Sequence, residues 1–335
     1  MRSEPPRTLR RGCNARRRRG SLPAAFAILE AEARVLAHPS RRAETQHVRG
    51  CTPHSPRHRP DRRALLVVEL PMFATSLTPV SPVRPVAPWI GGKRNLARKL
   101  CAMIEATPHD LYAEPFVGMG GVFFRRRSRP KCEIINDWSG EVANLFRCMR
   151  AHPAALTELT AWMLASREEF FRQRDIDPTP LTDLQRAARF IYLQKNSFGG
   201  LVSKRQFGVN STGASRFRPS KVGADLLAGG KRLERVTIEN LDWSVFIDRY
   251  DRAGALFYLD PPFFGCERDY GDGFGREQFA RMAEQLGRLK GRFILSLNDR
   301  PQVRELFASF DIEEVAVSYS RQADKAREVI ITGGG

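Results

Sequence analysis

From about residue 86 onward, short apolar runs alternate with stretches in which apolar residues recur every three or four positions. The runs begin with Leu111-Tyr112-Ala113 and Cys132-Glu133-Ile134-Ile135-Asn136. Five more follow, from Val236 to Glu239, Ala255 to Leu259, Phe293 to Leu297, Ile312 to Tyr319 and Val329 to Thr332. All are short enough for strands and are bounded by polar, glycine or proline residues. Helical spacing runs from Lys93 to Ala106, begins again at Gly120 toward Arg127, and continues from Asp137 to Arg150 through Val142, Leu145, Phe146 and Met149. Further helices are expected over 153–174, 181–195 and from Arg276 to Leu289, the last as a crossover between two strands. Strands that alternate with helices predict an α/β fold, with a mixed, mostly parallel seven-stranded sheet and helices on both faces. The last two strands, joined through Ser320 to Arg327, are expected as an antiparallel hairpin at the sheet edge.

Several of these runs stop on chemistry. Ala255-Leu256-Phe257-Tyr258-Leu259 ends at Asp260-Pro261-Pro262-Phe263. The prolines lack N–H groups and have a fixed φ, so the carbonyls of this turn point in set directions and cannot be drawn into a ladder. Asp260 and the Pro261 carbonyl are therefore placed to accept from one planar NH₂ group, and Phe263 offers a face for an extruded base. Upstream, Glu114-Pro115-Phe116-Val117-Gly118-Met119-Gly120 reads as a strand running into a glycine turn, where a ligand approaches the backbone closely. The next apolar run ends at Asp137, about 20 residues past those glycines, the distance at which a carboxylate takes ribose hydroxyls. Phe116-x-Gly118-x-Gly120 lacks the full dinucleotide spacing, so the glycine turn alone is weak; the three features in this order are stronger.

Four blocks carry a resemblance: Pro88-Trp89-Ile90-Gly91-Gly92-Lys93, Glu114 to Gly120, Asn136-Asp137, and Asp260-Pro261-Pro262-Phe263. The chain resembles the Dam-type DNA adenine N6-methyltransferases, in which the cofactor motif precedes the recognition region and the catalytic motif comes last. The resemblance spans residues 86 to 333 and implies a Rossmann-like class I methyltransferase fold. It also implies S-adenosylmethionine as donor, contacted by Trp89, Lys93, Asp137 and Asp260 beside the motif residues Glu114, Pro115, Phe116, Gly118 and Gly120. Asp260, Pro261, Pro262 and Phe263 become the catalytic set. Many members have tyrosine where Phe263 stands, so stacking survives here while any role of a phenolic hydroxyl does not. Acceptors on the two N–H groups of adenine N6 would localise electron density on a poor nucleophile, and direct attack on the donor methyl then needs alignment rather than covalent help. Methylation of cytosine N4 or an RNA base remains an alternative, because the clamp reads an NH₂ group and not a whole base. A non-catalytic nucleic-acid-binding relative is a second alternative.

Other chemistries fit poorly. No Pro-Cys dipeptide occurs, against a cytosine-C5 mechanism. Arg94 follows Lys93 where a phosphate loop needs Ser or Thr. The six cysteines include no Cys-x-x-Cys pair, and only His109 and His152 lie beyond residue 60, so no metal site is expected. No apolar stretch approaches the roughly 18 residues that span a bilayer. A reducing cytoplasm, bacterial or phage-encoded, is the expected setting. Double-stranded DNA is the expected partner, with a cognate restriction enzyme compatible with the family and monomeric action assumed.

The formal charge of +18 favours a polyanionic partner. Residues 1–71 contribute +10 of it, through sixteen arginines and no lysine against six acids. This Arg/Pro-rich segment lacks periodicity and is expected to be disordered; methyltransferase sequence is expected over 72–150 and 236–335, with 151–235 an inserted recognition region. A chain starting at Met72 is expected to keep full activity, which a methylation assay on that truncation checks. From Lys195 to Arg235 nine Lys and Arg face two acids, interleaved with Phe198, Phe207 and Phe217. A groove-contacting hairpin and loop is expected there, with Lys204, Arg205, Arg216, Arg218 and Lys221 on phosphates. Asn196 and Asn298 each end an element near the site, and a cap explains them nearly as well as a function.

Overall fold

The seven predicted strands assemble into one sheet in the computed structural model, which describes residues 77–209, 211–270, 274–317 and 326–335; a separate short antiparallel pair joins Thr78–Pro79 to Ser128–Arg129. The segment 1–71, expected to be disordered, lies outside the described residues. In chain order the elements are α1 (Ala97–Ala106), β1 (Leu111–Glu114), β2 (Cys132–Asn136), α2 (Gly140–Ala151), α3 (Pro153–Ala161), α4 (Arg167–Asp175), α5 (Asp183–Asn196) and α6 (Pro219–Arg232). There follow β3 (Val236–Glu239), α7 (Trp243–Tyr250), β4 (Ala255–Leu259), α8 (Glu277–Gly287), β5 (Arg292–Asn298), α9 (Pro301–Leu306), β6 (Asp311–Val317) and β7 (Ala326–Gly334).

The sheet order is β3-β2-β1-β4-β5-β7-β6. The first five strands run parallel, and β7 enters antiparallel between β5 and β6. The expected α/β class, the mostly parallel sheet and the antiparallel pairing of the last two strands are present, while the connection expected from Ser320 lies outside the described residues up to residue 325. Because side chains alternate across a strand, Tyr112, Leu256, Tyr258 and Ile294 join the core under α1, α2, α5 and α6. Leu111, Ala113, Phe257, Leu259 and Phe293 join the core under α7, α8 and α9. Among the described residues no helix is long and apolar enough to cross a membrane.

α7 and α9 are not among the expected helices, and α1 begins at Ala97 rather than Lys93; three further elements depart from expectation, each for a local reason. The stretch 153–174 is two helices, because Ser166 restarts the chain as an N-cap accepting from Glu169 N at 3.0 Å. No α-helix follows Gly120; Gly118 and Gly120 have φ of 49° and 69°, and the chain makes a single 3₁₀ turn at Phe123–Arg125 before β2. The loop expected between Lys195 and Arg235 is half helix. Pro219 pre-sets the first turn of α6, Val222 and Leu226 face the core, and Gly229 and Gly230 let α6 lie against α2. A Cβ at Gly230 would stand 2.4 Å from the Met149 carbonyl oxygen. Glycines that read as loop composition are here the contact surface of a helix.

Candidate active site

The strand order reverses between β1 and β4, and in open parallel sheets the crevice outside the carboxyl ends at such a point is where ligands bind. β1 delivers Glu114-Pro115 to it, β2 delivers Asn136-Asp137, β4 delivers Asp260 and β5 delivers Ser296 and Asn298. Two cavities open there, of about 640 Å³ and 190 Å³, and share Trp89, Phe116, Gly118 and Asp260 as walls.

Asp260 faces this crevice. Its Oδ1 lies 2.5 Å from Lys93 Nζ and accepts from Ser296 Oγ at 3.1 Å. Ser296 is shared with the buried Tyr258 hydroxyl at 3.0 Å. Burial raises the Asp260 carboxyl above its ordinary range against the pull of Lys93 and Ser296. Pro261 and Pro262 are buried and Phe263 is half-buried, with Lys93 Nζ 4.4 Å from its ring centroid. Immediately beyond, Phe264 N donates to Asn298 Oδ1 and Asn298 Nδ2 donates to Phe264 O, both at 2.9 Å. Asn298 therefore clasps the end of the proline turn rather than capping α9, whose N-cap is Arg300.

The other wall holds Trp89, Phe116 and the glycine turn. Gly118 is required twice: its φ is 49°, and a Cβ there would stand 2.7 Å from Trp89 Nε1. Asp137 Oδ2 accepts from Gly118 N and its Oδ1 from Ser139 N, each at 2.9 Å. Burial outweighs those two donors and pushes the Asp137 carboxyl up to about 6. Asn136 fixes the neighbouring loops, donating to Pro115 O at 2.9 Å and accepting from Leu241 N at 2.8 Å. Glu114, 2% exposed, accepts from Tyr112 Oη at 2.7 Å and is pushed by burial up to about 8. Lys93 is 4% exposed and also donates to the Gly91 carbonyl at 3.0 Å. Trp138, Ser139 and Val202 complete the small cavity and were missed in the sequence, although Trp138 and Ser139 directly follow the predicted acid.

The pocket fits an adenosine-bearing methyl donor on two counts: a cradle at Gly118 that a single Cβ would fill lies beside the Trp89 indole, and the Asp137 carboxylate stands at the end of β2 beside that glycine turn.

The five expected phosphate contacts are not equivalent. Arg216 and Arg218 are exposed and flank Phe217, which is buried against Tyr192 with ring centroids 5.2 Å apart. Phe217 thus anchors the segment and is unavailable for stacking on a base. Lys204 is exposed at φ 46°. Lys221 lies 3.7 Å from Asp225 and lines the large cavity. Arg205 differs from the others: its guanidinium lies 5.2 Å from the Phe190 ring centroid and donates to Gln194 Oε1 at 3.2 Å, and burial draws it down to about 10. Asn196 is buried and donates to Tyr192 O at 2.9 Å, within its own helix.

Residues 89–320 match the family model of the D12 class N6 adenine-specific DNA methyltransferases. The chain is 26% identical over 284 residues to the type II methyltransferase M1.LlaDCHI of Lactococcus lactis subsp. cremoris, covering 76% of this chain and 96% of that protein. It is 27% identical over 204 residues to the type II methyltransferase M.MjaIII of Methanocaldococcus jannaschii, covering 54% of this chain and 69% of the relative. Against the DNA N-6-adenine-methyltransferase of Escherichia phage P1 it is 24% identical over 247 residues, 67% of this chain and 31% of the phage protein.

Proposed function

The chain belongs to the D12 class N6 adenine-specific DNA methyltransferases, and from that membership we propose that it moves a methyl group from S-adenosylmethionine to an adenine turned out of duplex DNA, with Asp260 as acceptor of the reacting amine. The observation that carries this reading is the placement of Asp260 at the carboxyl end of β4, facing both cavities and held by Ser296 and Lys93. S-adenosylmethionine, when bound, would supply an electrophilic sulfonium methyl.

The protein's own residues supply position and field. Asp260 and the Pro261 carbonyl accept from the two N–H groups of N6, so electron density concentrates on the attacking nitrogen. Because Pro261, Ser296 and the Asn298 clasp are already in place, little reorganisation is needed at the moment of reaction. Phe263 stacks on the extruded ring. Asp137 would hold the donor's ribose hydroxyls, Trp89 and Phe116 would enclose its adenosyl group, and Glu114 would hold its α-amino group. Lys93 neutralises Asp260 until the amine arrives. The proton released from N6 leaves toward solvent past Asp260, whose side chain is 20% exposed. Residues 151–235 read the DNA: Lys204, Arg216 and Arg218 contact phosphates, and Lys221 faces the pocket.

Transfer of a labelled methyl group to duplex DNA, followed by nucleoside analysis, tests the reaction: label in N6-methyladenine is expected, and label confined to another base would overturn it. The recognition surface has its own test. Arg216→Ala and Arg218→Ala are each expected to weaken binding across DNA sequences and to reduce the slope of log affinity against log salt by about 1; unchanged binding at two salt concentrations would remove them from the interface.

Donor affinity should also depend on pH with a predictable sign. Glu114 and Asp137 are raised to about 8 and about 6, so the donor-free protein holds protons that an ammonium and two hydroxyls must displace. Affinity is expected to rise as pH climbs through 6 and again toward 8. The same raised values cost the donor-free protein stability, absent below the unfolded carboxylate range and complete above pH 8. Calorimetric titration between pH 5.5 and 9 checks this: Glu114→Gln should erase the upper step while leaving the lower one, and a flat profile in the parent protein would contradict both assignments.

A further inference from the structure

Lys93 stands between two carboxylates, and the arrangement assigns a role to the second. Its Nζ lies 2.5 Å from Asp260 Oδ1 and 3.9 Å from Glu328 Oε2. We propose that Glu328 is a positioning residue, the seat onto which the Lys93 ammonium moves when the target amine takes its place on Asp260. This rests on the reading of Asp260 as the amine acceptor.

Without DNA, Lys93 meets both features of the clamp that the base amine would use: a nitrogen donor on Asp260 and a cation above the Phe263 ring at 4.4 Å. A base stacked on that ring needs the same space, so ammonium and base cannot share it. The ammonium also has little access to water, since the Lys93 side chain is 2% exposed. Leaving Asp260 without a second anion would strand a buried charge, which costs several kcal/mol. Glu328, itself 1% exposed, removes that cost. A shift of roughly 1 Å brings Nζ from its present separation into charge-assisted hydrogen-bond range of Glu328.

The fold holds Glu328 where this exchange needs it. It lies on β7, opposite Asn298 of β5 in the antiparallel register, beside the strand that supplies Ser296 to Asp260 and clasps Phe264. Its neighbours on β7 are Val329, Ile330 and Ile331, all fully buried. In consequence the clamp never goes without a cation nearby: the ammonium covers Asp260 before the base arrives and stays close enough afterwards to keep that carboxylate ionised.

The test is Glu328→Gln in the full chain, read with duplex DNA carrying 2-aminopurine at the target position, whose fluorescence rises when the base is extruded and needs no methyl transfer. Loss of the second seat should lower occupancy of the pocket by about tenfold, the size of one hydrogen bond to a charged group, and raise KM for DNA, while donor affinity stays unchanged. Glu328→Asp restores the carboxylate and should recover most of the signal. In a Lys93→Gln background, where no ammonium competes, Glu328→Gln should have no further effect on extrusion. Unchanged extrusion in Glu328→Gln, or an equal loss in both backgrounds, would overturn the proposal. Asp260→Ala, measured for turnover alongside, separates the two claims: if Asp260→Ala turns over normally the amine-acceptor reading fails, and if it is inactive while Glu328→Gln extrudes normally only the role of Glu328 fails.

Discussion

Alanine at position 260 is expected to lower methyl transfer by about three orders of magnitude, the upper end of what deleting one preorganised polar group costs. The loss has two sources. The reacting nitrogen loses the acceptor that concentrates its lone pair, and Lys93, 2.5 Å away, loses its nearer counter-ion and is left in the pocket as a buried cation facing a cationic donor. Asp260→Asn should be less damaging, because its amide oxygen still accepts from the amine while only the charge that pairs with Lys93 is lost. Because Asp137, Trp89 and Gly118 remain, donor binding should fall far less than turnover. Single-turnover assays on duplex DNA with nucleoside analysis, beside a donor titration, separate the two quantities. Turnover of the alanine variant within tenfold of the parent would remove Asp260 from the chemistry.

The sites that were legible in the sequence share one property: each is a polar residue at the end of a continuous apolar run. Glu114, Asp137 and Asp260 stand at the carboxyl ends of β1, β2 and β4, and a run that buries itself necessarily delivers its last residue to the sheet edge. Residues inside runs were opaque. Ser296 and Glu328 sit within β5 and β7, where nothing in a single sequence distinguishes a side chain turned toward a neighbour's carboxylate from one merely tolerated. Asn298 fitted a helix cap, and only the return of the chain at Phe264 reveals the clasp. Charge was ambiguous for the opposite reason. Arg205 and Arg218 look alike in a basic, glycine-rich stretch, yet one guanidinium lies over Phe190 and the other side chain is exposed, a difference set by the small hairpin in which Ser197 pairs with Phe207. The same stretch hid α6, because Gly229 and Gly230 lower helix propensity while permitting the contact with α2 that stabilises the helix.

Glu133→Ala is expected to destabilise the fold by about 3–5 kcal/mol, as when one partner of a buried ion cluster is removed. Glu133 is 2% exposed and joins two arginines that the sequence placed nowhere near each other. Arg126 Nη1 donates to Oε1 at 2.9 Å, while Arg232 donates through Nη2 to Oε1 at 2.6 Å and through Nη1 to Oε2 at 2.7 Å. Arg126 lies 3.8 Å from the Tyr112 ring centroid and Arg232 lies 4.2 Å from that of Phe123. Arg126 Nε and Nη2 and Arg232 Nε are buried without hydrogen-bond partners, so Glu133 carries most of the compensation for two desolvated cations. For a domain of this size the loss corresponds to a fall in Tm on the order of 10 °C. Replacing all three together, with Arg126→Met, Glu133→Leu and Arg232→Met, should recover most of it, because exchanging a whole buried ion cluster for packed apolar side chains is often neutral or stabilising. Scanning calorimetry of the single and triple variants checks both halves, and a single-variant loss below about 1 kcal/mol would show that the arginines find other partners. The cluster ties α6 to β2 and to the chain leaving β1, and Arg126 rests on the tyrosine whose hydroxyl donates to Glu114. The triple variant, although stable, should therefore bind donor more weakly than its parent, since the Tyr112 ring that orients Glu114 loses the cation packed against its face.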